Sequence, residues 1–176
     1  MRQFLFLLSL ATALQATSLV RYDLKGLTHN AAWVLVGTCK EAQPEVIAGR
    51  IYTRLLFSVS EMVKGQIATQ LEVYLPGGAH QGVRTSVAGM PQFAPGEEVA
   101  LFLTEADRLG HPWPVGLGQG KFRVQRDAAA KPRVLQDTGE AQLYGAPGTT
   151  LSGMSLEEFL SQVRHLAKEE AGDEKR

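Results

Sequence analysis

A single cysteine, Cys39, stands among the 176 residues, so neither an internal disulfide framework nor a cysteine-built zinc cluster can form. Net charge is missing too. Lysine plus arginine is 18 and aspartate plus glutamate is 18, which removes the long-range basic field that gathers nucleic acid. No internal repeat and no low-complexity segment is present, and beyond the N-terminus no apolar run reaches membrane length. What is present suits one folded domain: 44% apolar residues can fill a core, and 18 glycines with 8 prolines favour a β-rich chain with many turns.

The N-terminus has the order of an export signal. Met1 and Arg2 give a positive start, Phe4 to Leu14 is an apolar run broken only by Ser9 and Thr12, and small residues follow. The run is too short to span a bilayer, and no basic stop-transfer cluster follows it. Cleavage is expected after Ala16 or Ser18, with Ala11-Thr12-Ala13 as another option, and the protein is expected in the periplasm or outside the cell. The expected division is a signal peptide over 1–18, a β domain over 19–140, a linker and helix over 141–168, and a charged tail over 169–176.

Periodicity then places the elements. Asp23 can cap a short helix whose Leu24, Leu27 and Ala31 share a face, and Trp33 to Val36 opens a buried strand. Lys40 to Arg50 turns polar around Pro44 and reads as a loop. Ile51, Thr53, Leu55, Phe57 and Val59 alternate with polar residues as a long strand, and Leu71, Val73 and Leu75 alternate as a third. Gly82 to Val87 is a weaker strand, Glu98 to Leu103 a central one, and Lys121 to Gln125 pairs with Arg133 to Leu135 as a hairpin. Ser155 with Glu158 makes a capping box, and Leu156, Phe159, Leu160, Val163 and Leu166 stripe an amphipathic helix. Strands in succession with helices only at the two ends predict an antiparallel sheet closed into a small OB-like barrel, with a β-sandwich as the alternative.

Three stretches carry a resemblance. They are Gly49-Arg50-Ile51-Tyr52-Thr53 followed by Phe57, Val59, Glu61 and Lys64-Gly65; Pro91 to Val99 with Leu101-Phe102-Leu103; and Val115-Gly116-Leu117 with Gln119 to Val124. Together they resemble a group of exported bacterial proteins, a likeness that implies export but no activity. More distantly, the order of these strands is similar to the netrin-like OB barrel of tissue inhibitors of metalloproteinases. That resemblance implies binding of a protein partner, with a metalloprotease as the specific candidate. In that family a processed N-terminal cysteine chelates the protease zinc, and Cys39, far inside the chain, departs from the pattern.

Catalytic and cofactor signals are thin. His29, His80, His111 and His165 stand apart with no HExxH, so no metal site is expected. Gly116 to Lys121 superficially resembles a phosphate-cradling loop, but Phe122 follows the lysine and a strand follows the loop, so no cofactor is expected. Pro76 to Gly82 reads as a flexible connection. Ser86, Ser152 and Ser155 lack a nucleophile elbow, and Cys39 lacks a local histidine base. The expectation is a non-enzymatic binding protein. A hydrolase whose residues meet only in space would draw first on Glu97, Glu98, His80 and His111.

One surface feature remains: Lys121, Arg123, Arg126, Lys131 and Arg133 cluster on the predicted hairpin and would suit an anionic glycan or lipid headgroup. The alternative for that cluster is a solvated edge protected by charge. For a protein partner, the expected contacts are the connections Lys40 to Arg50 and Pro76 to Gly82.

Overall fold

The computed structural model describes residues 18–66, 68–108, 110–127, 130–136, 142–144 and 151–173. Nearly all of the expected export signal over 1–18, much of the expected linker from 141 to the helix and the last three residues of the expected tail lie outside them. No helix among the described residues is long and apolar enough to cross a membrane.

Strand β1 (Ser18–Val20) leads into α1 (Leu24–Asn30), where the Asp23 carboxylate accepts from the Gly26 amide at 2.7 Å as the predicted cap. Two 15-residue strands follow, β2 (Trp33–Ile47) and β3 (Arg50–Lys64), then β4 (Gln70–Pro76), the small strands β5 (Gly78–His80) and β6 (Val83–Thr85), and β7 (Glu98–Leu103). Strands β8 (Lys121–Gln125), β9 (Arg133–Gln136) and β10 (Gln142–Tyr144) precede α2 (Leu156–Asp173). The main sheet is antiparallel with the order β4-β3-β2-β7-β8-β9, while β5 pairs with β6 and β1 pairs in parallel with β10.

The β-rich class and the two terminal helices are present as expected. Closure into a barrel is not: among the described residues β4 and β9 each pair with one strand only, so the sheet is open. Its second strand is bulged. Register shifts at Val34/Leu35, Val36/Gly37 and Cys39/Glu41 put bulges into β2, and bulges increase local twist and bend the strand.

Both faces of the sheet are buried, which is why its central strands read as near-continuous apolar runs. On one face Leu24, Leu27, Val34, Val36, Ala100, Phe102, Phe122 and Val134 meet Phe159, Leu160 and Val163 of α2. On the other face, Leu35, Cys39, Leu55, Phe57, Val73, Leu75, Val99, Leu101 and Leu103 form a second cluster that draws on β4 and β7 alike. Phe159 is fully buried and packs its ring 4.7 Å from Phe122 and 6.0 Å from Phe102. Ser155 caps α2 by accepting from the Glu158 amide at 3.2 Å, and the helix continues past the expected Lys168 to Asp173.

The region Lys40 to Arg50, expected as a loop, is instead the outer half of a β2–β3 hairpin paired in register to Ile47↔Arg50. Its turn residues Ala48 and Gly49 have φ of 50° and 75°, the two positive values that a two-residue type I′ turn requires. Pro44 is tolerated because β7 pairs β2 only as far as Thr38, leaving the arm with one neighbouring strand.

The run Gly116 to Lys121 holds a short 3-10 turn, Leu117–Gly120, ahead of β8. A side chain at Gly120 would meet the Val115 carbonyl at 2.7 Å and the Phe102 carbonyl at 2.9 Å, so the glycine serves close backbone packing. Gln119 next to it is buried and ties down the entering chain: its amide nitrogen donates to the Val20 carbonyl and its oxygen accepts from the Tyr22 amide. At the far edge, β9 is hydrogen-bonded by the segment ahead of α2, with Val134 donating to the Met154 carbonyl and Gly153 donating to the Val134 carbonyl.

Candidate functional site

Alternation along the β2–β3 arm gives it two unlike sides. Ala42, Pro44 and Val46 oppose Leu55, Thr53 and Ile51 in the register, so one side is apolar apart from a threonine. Glu41, Gln43 and Glu45 stand on the other with Tyr52 and Arg54. There Arg54 bridges Glu41 at 3.0 Å and Glu72 at 2.8 Å, and the hydrogen bond to Glu72 holds its guanidinium more firmly protonated. Tyr74 on the same side is raised in pKa by burial first and by the Glu72 and Glu45 charges next, and its ring stacks on His111 at 4.6 Å.

The apolar side of the arm borders a cleft of about 370 Å³. Ala42, Pro44 and Thr53 line it from the arm, Leu55, Leu75, Met90 and Phe93 from the core beside it, and Pro76 to Ala79 with Arg84 to Val87 from the neighbouring segment, which Thr53 joins by donating to the Gly77 carbonyl at 2.8 Å. The β5–β6 hairpin supplies much of that segment. Ala79 and Arg84 are cross-strand partners that both line the cleft. A smaller cavity of about 130 Å³ lies against Trp33, Leu35, Met62 and Leu71.

Next to the cleft lies a buried ion pair. Lys121 is 2% exposed, its ammonium lies 2.8 Å from a Glu97 carboxylate oxygen and 4.5 Å from the centre of the Phe93 ring, and it donates to the Gln92 carbonyl. The Cys39 thiol lies fully buried in the same cluster and donates to the Glu41 carbonyl at 3.3 Å. Burial, then the Glu97 charge, pushes its pKa up, while the Lys121 charge opposes.

The five basic residues of the predicted patch do not share one free surface. Lys121, expected to point outward with Arg123 and Gln125, points into the core, because its register partner is Leu101 and that face of the sheet is buried here. Arg126 forms a two-bond fork on Glu98 at 2.6 and 2.7 Å, a bond that raises its pKa further. Lys131 lies 3.3 Å from Glu157, and Arg133 donates to the Gly153 carbonyl at 2.7 Å. Arg123 alone of the five is exposed with no hydrogen bond or ion pair to another described residue.

The residues considered for a hydrolase are likewise dispersed. Glu97 is taken by Lys121, Glu98 by Arg126 and the His111 ring by Tyr74, and no hydrogen bond or ion pair joins any of these to another or to His80. No group of three metal-ligating side chains occurs among the described residues.

Of the two connections expected to carry recognition, Lys40 to Arg50 contributes Ala42 and Pro44 and Pro76 to Gly82 contributes Pro76 to Ala79 to the same cleft. Arg84 and the stretch Ser86 to Phe93, which complete it, were not singled out for binding by the sequence. The period-two run Ala42, Pro44, Val46 is the signal that would have pointed to the apolar wall. No family model matches the chain, and no curated protein matches its sequence.

Proposed function

We propose that this is an exported, non-catalytic binding protein whose cleft holds an extended segment of a partner protein in the cell envelope or medium. One observation carries the reading: segments far apart in sequence line a single cleft, where apolar side chains such as Leu55, Leu75, Met90 and Phe93 stand beside the polar Thr53, Arg84, Thr85 and Gln92. Such a lining matches a peptide, which offers alternating side chains to pockets and main-chain groups to a strand edge.

The netrin-like resemblance supports a protein occupant and makes a secreted metalloprotease the first partner to test. Cys39, buried in mid-strand, is not placed to reach a protease zinc, so contact would run through the cleft rims. The reading of the 121–133 hairpin as a holder of anionic glycans or lipids has less support, since Lys121 is buried and Arg126 is held by Glu98.

The test is affinity capture from the envelope and medium of the producing cell, at low and high salt, with the native protein and an Ala42→Arg variant that fills the cleft. A protein retained at both salts by the native form and lost in the variant is the expected result. Recovery of no protein, with salt-sensitive retention on a polyanion column that Arg123→Ala weakens, would overturn it in favour of the hairpin.

A further inference from the structure

Among the described residues, Arg84 is the one charged side chain that lines the cleft. Its side chain makes no hydrogen bond or ion pair with any described residue, whereas the guanidinium groups of Arg54 and Arg126 are held by carboxylates. Arg84 pairs with Ala79 in the β5–β6 hairpin, and these two line the cleft together with the preceding pair, Gly78 and Thr85, whereas His80 and Val83 at the hairpin tip do not. Its guanidinium is exposed to solvent and has five donors with no acceptor among the described residues.

Main-chain groups accompany it. Ser86, next but one on the same segment, makes no backbone hydrogen bond with another described residue. The arm at Ala42 and Pro44 belongs to the part of β2 that β7 no longer pairs. An extended segment lying in the cleft therefore meets unpaired backbone, the apolar side chains of Leu55, Met90 and Phe93, and one free cation.

We propose that the segment recognised carries a carboxylate that pairs with Arg84, with apolar residues on either side of it seated on those apolar side chains. The inference rests on the peptide-binding reading above and names the chemistry of its ligand. The carboxylate has two possible sources, an aspartate or glutamate side chain or a free chain terminus, and both offer the two oxygens that a guanidinium fork accepts.

Fluorescence anisotropy with labelled octapeptides tests it. The probes are Val-Thr-Val-Glu-Val-Thr-Val-Ser with both ends blocked, the same peptide with Gln for Glu, and the Gln peptide with a free C-terminal carboxylate. The native protein should bind one of the two carboxylate peptides at least about tenfold more tightly than the blocked Gln peptide, and the arm that gains identifies the source. Arg84→Gln, at an exposed position where the melting temperature should not change, should erase the preference and leave the blocked Gln peptide bound as before. Equal binding of all three peptides, or a preference that survives Arg84→Gln, would overturn the carboxylate assignment. If that equal binding is lost in Ala42→Arg, the cleft reading stands without it. No binding of any peptide at millimolar concentration would overturn both.

Discussion

Lys121 and Glu97 form an ion pair against one face of the sheet, 2.8 Å apart, with 2% of the lysine and 15% of the glutamate side chain exposed. Glu97 directly precedes β7 and also accepts from the Ala94 amide, and Lys121 opens β8 and reaches the Gln92 carbonyl. The pair thus fastens the 92–97 loop, which carries cleft residues Gln92 and Phe93, to the sheet.

Removal of one partner leaves the other charge buried and unmatched. Lys121→Met should destabilise the protein by about 3–5 kcal/mol, and Lys121→Met combined with Glu97→Gln by less than Lys121→Met alone. Urea unfolding of the single and double variants checks this. A double variant at least as unstable as the sum of the singles would show that the two side chains do not act as a pair.

Phe159 joins α2 to the sheet through its contacts with Phe102 and Phe122. Phe159→Ala should cost about 3–5 kcal/mol, as for other fully buried aromatic side chains. An unchanged urea midpoint would mean that α2 is detached in solution.

The turn at the tip of the β2–β3 arm places a residue with a Cβ, Ala48, at φ 50°. Ala48→Gly relieves the left-handed cost of about 1 kcal/mol at that residue, offset in part by the added freedom of the unfolded chain. A net gain of a few tenths of a kcal/mol is expected. A loss of more than about 1 kcal/mol would contradict the turn geometry.

The buried Cys39 thiol should be unreactive in the folded protein. Labelling by a thiol-specific disulfide reagent at pH 8 should be slow until urea opens the core, and rapid labelling of the native state would place the thiol elsewhere. The sign of the pH effect follows from the upward shift. Because folding favours the protonated thiol, this contribution is fully present below the unfolded pKa of about 8.5 and is lost as pH rises through the folded value. Cys39→Ala should therefore flatten the alkaline decline in stability.

Export predicts a shortened chain. The intact mass of protein from the producing cell should lack the N-terminal segment, and cleavage after Ala16 would keep all three pairs of β1 with β10, which begin at Ser18↔Gln142. Recovery of the protein with Met1 in place would overturn the export reading.

Strand β8 and both helices were legible because their apolar residues recur at the period of the element, and β7 because Val99 to Leu103 is an unbroken apolar run that follows a Pro-Gly turn. The arm was hidden for a physical reason: beyond Cys39 it leaves the core, so polar residues and Pro44 occupy a paired strand that has solvent on one side. Lys121 shows a different limit. Alternation put it opposite Phe122, but only the pairing with Leu101 reveals that its face too is covered. The short β1–β10 pair joins segments more than a hundred residues apart and leaves no local pattern. For the site, the two connections that meet at the cleft stood out as turn-rich or polar stretches, whereas Arg84 looked like any solvated arginine, and only the folding of 76–93 over the arm places it along the cleft.

The way β9 is sealed bears on how the molecule is made. Its outer edge is satisfied by residues 153 and 154, which a ribosome adds only after every strand of the main sheet has been synthesised. Until then the nascent sheet presents an adhesive flank at residues 133–136, a template for pairing with neighbouring chains. Residues 153 and 154 cap that flank and α2 directly behind them buries Phe159, so the same late stretch of chain both closes the edge and covers the sheet face.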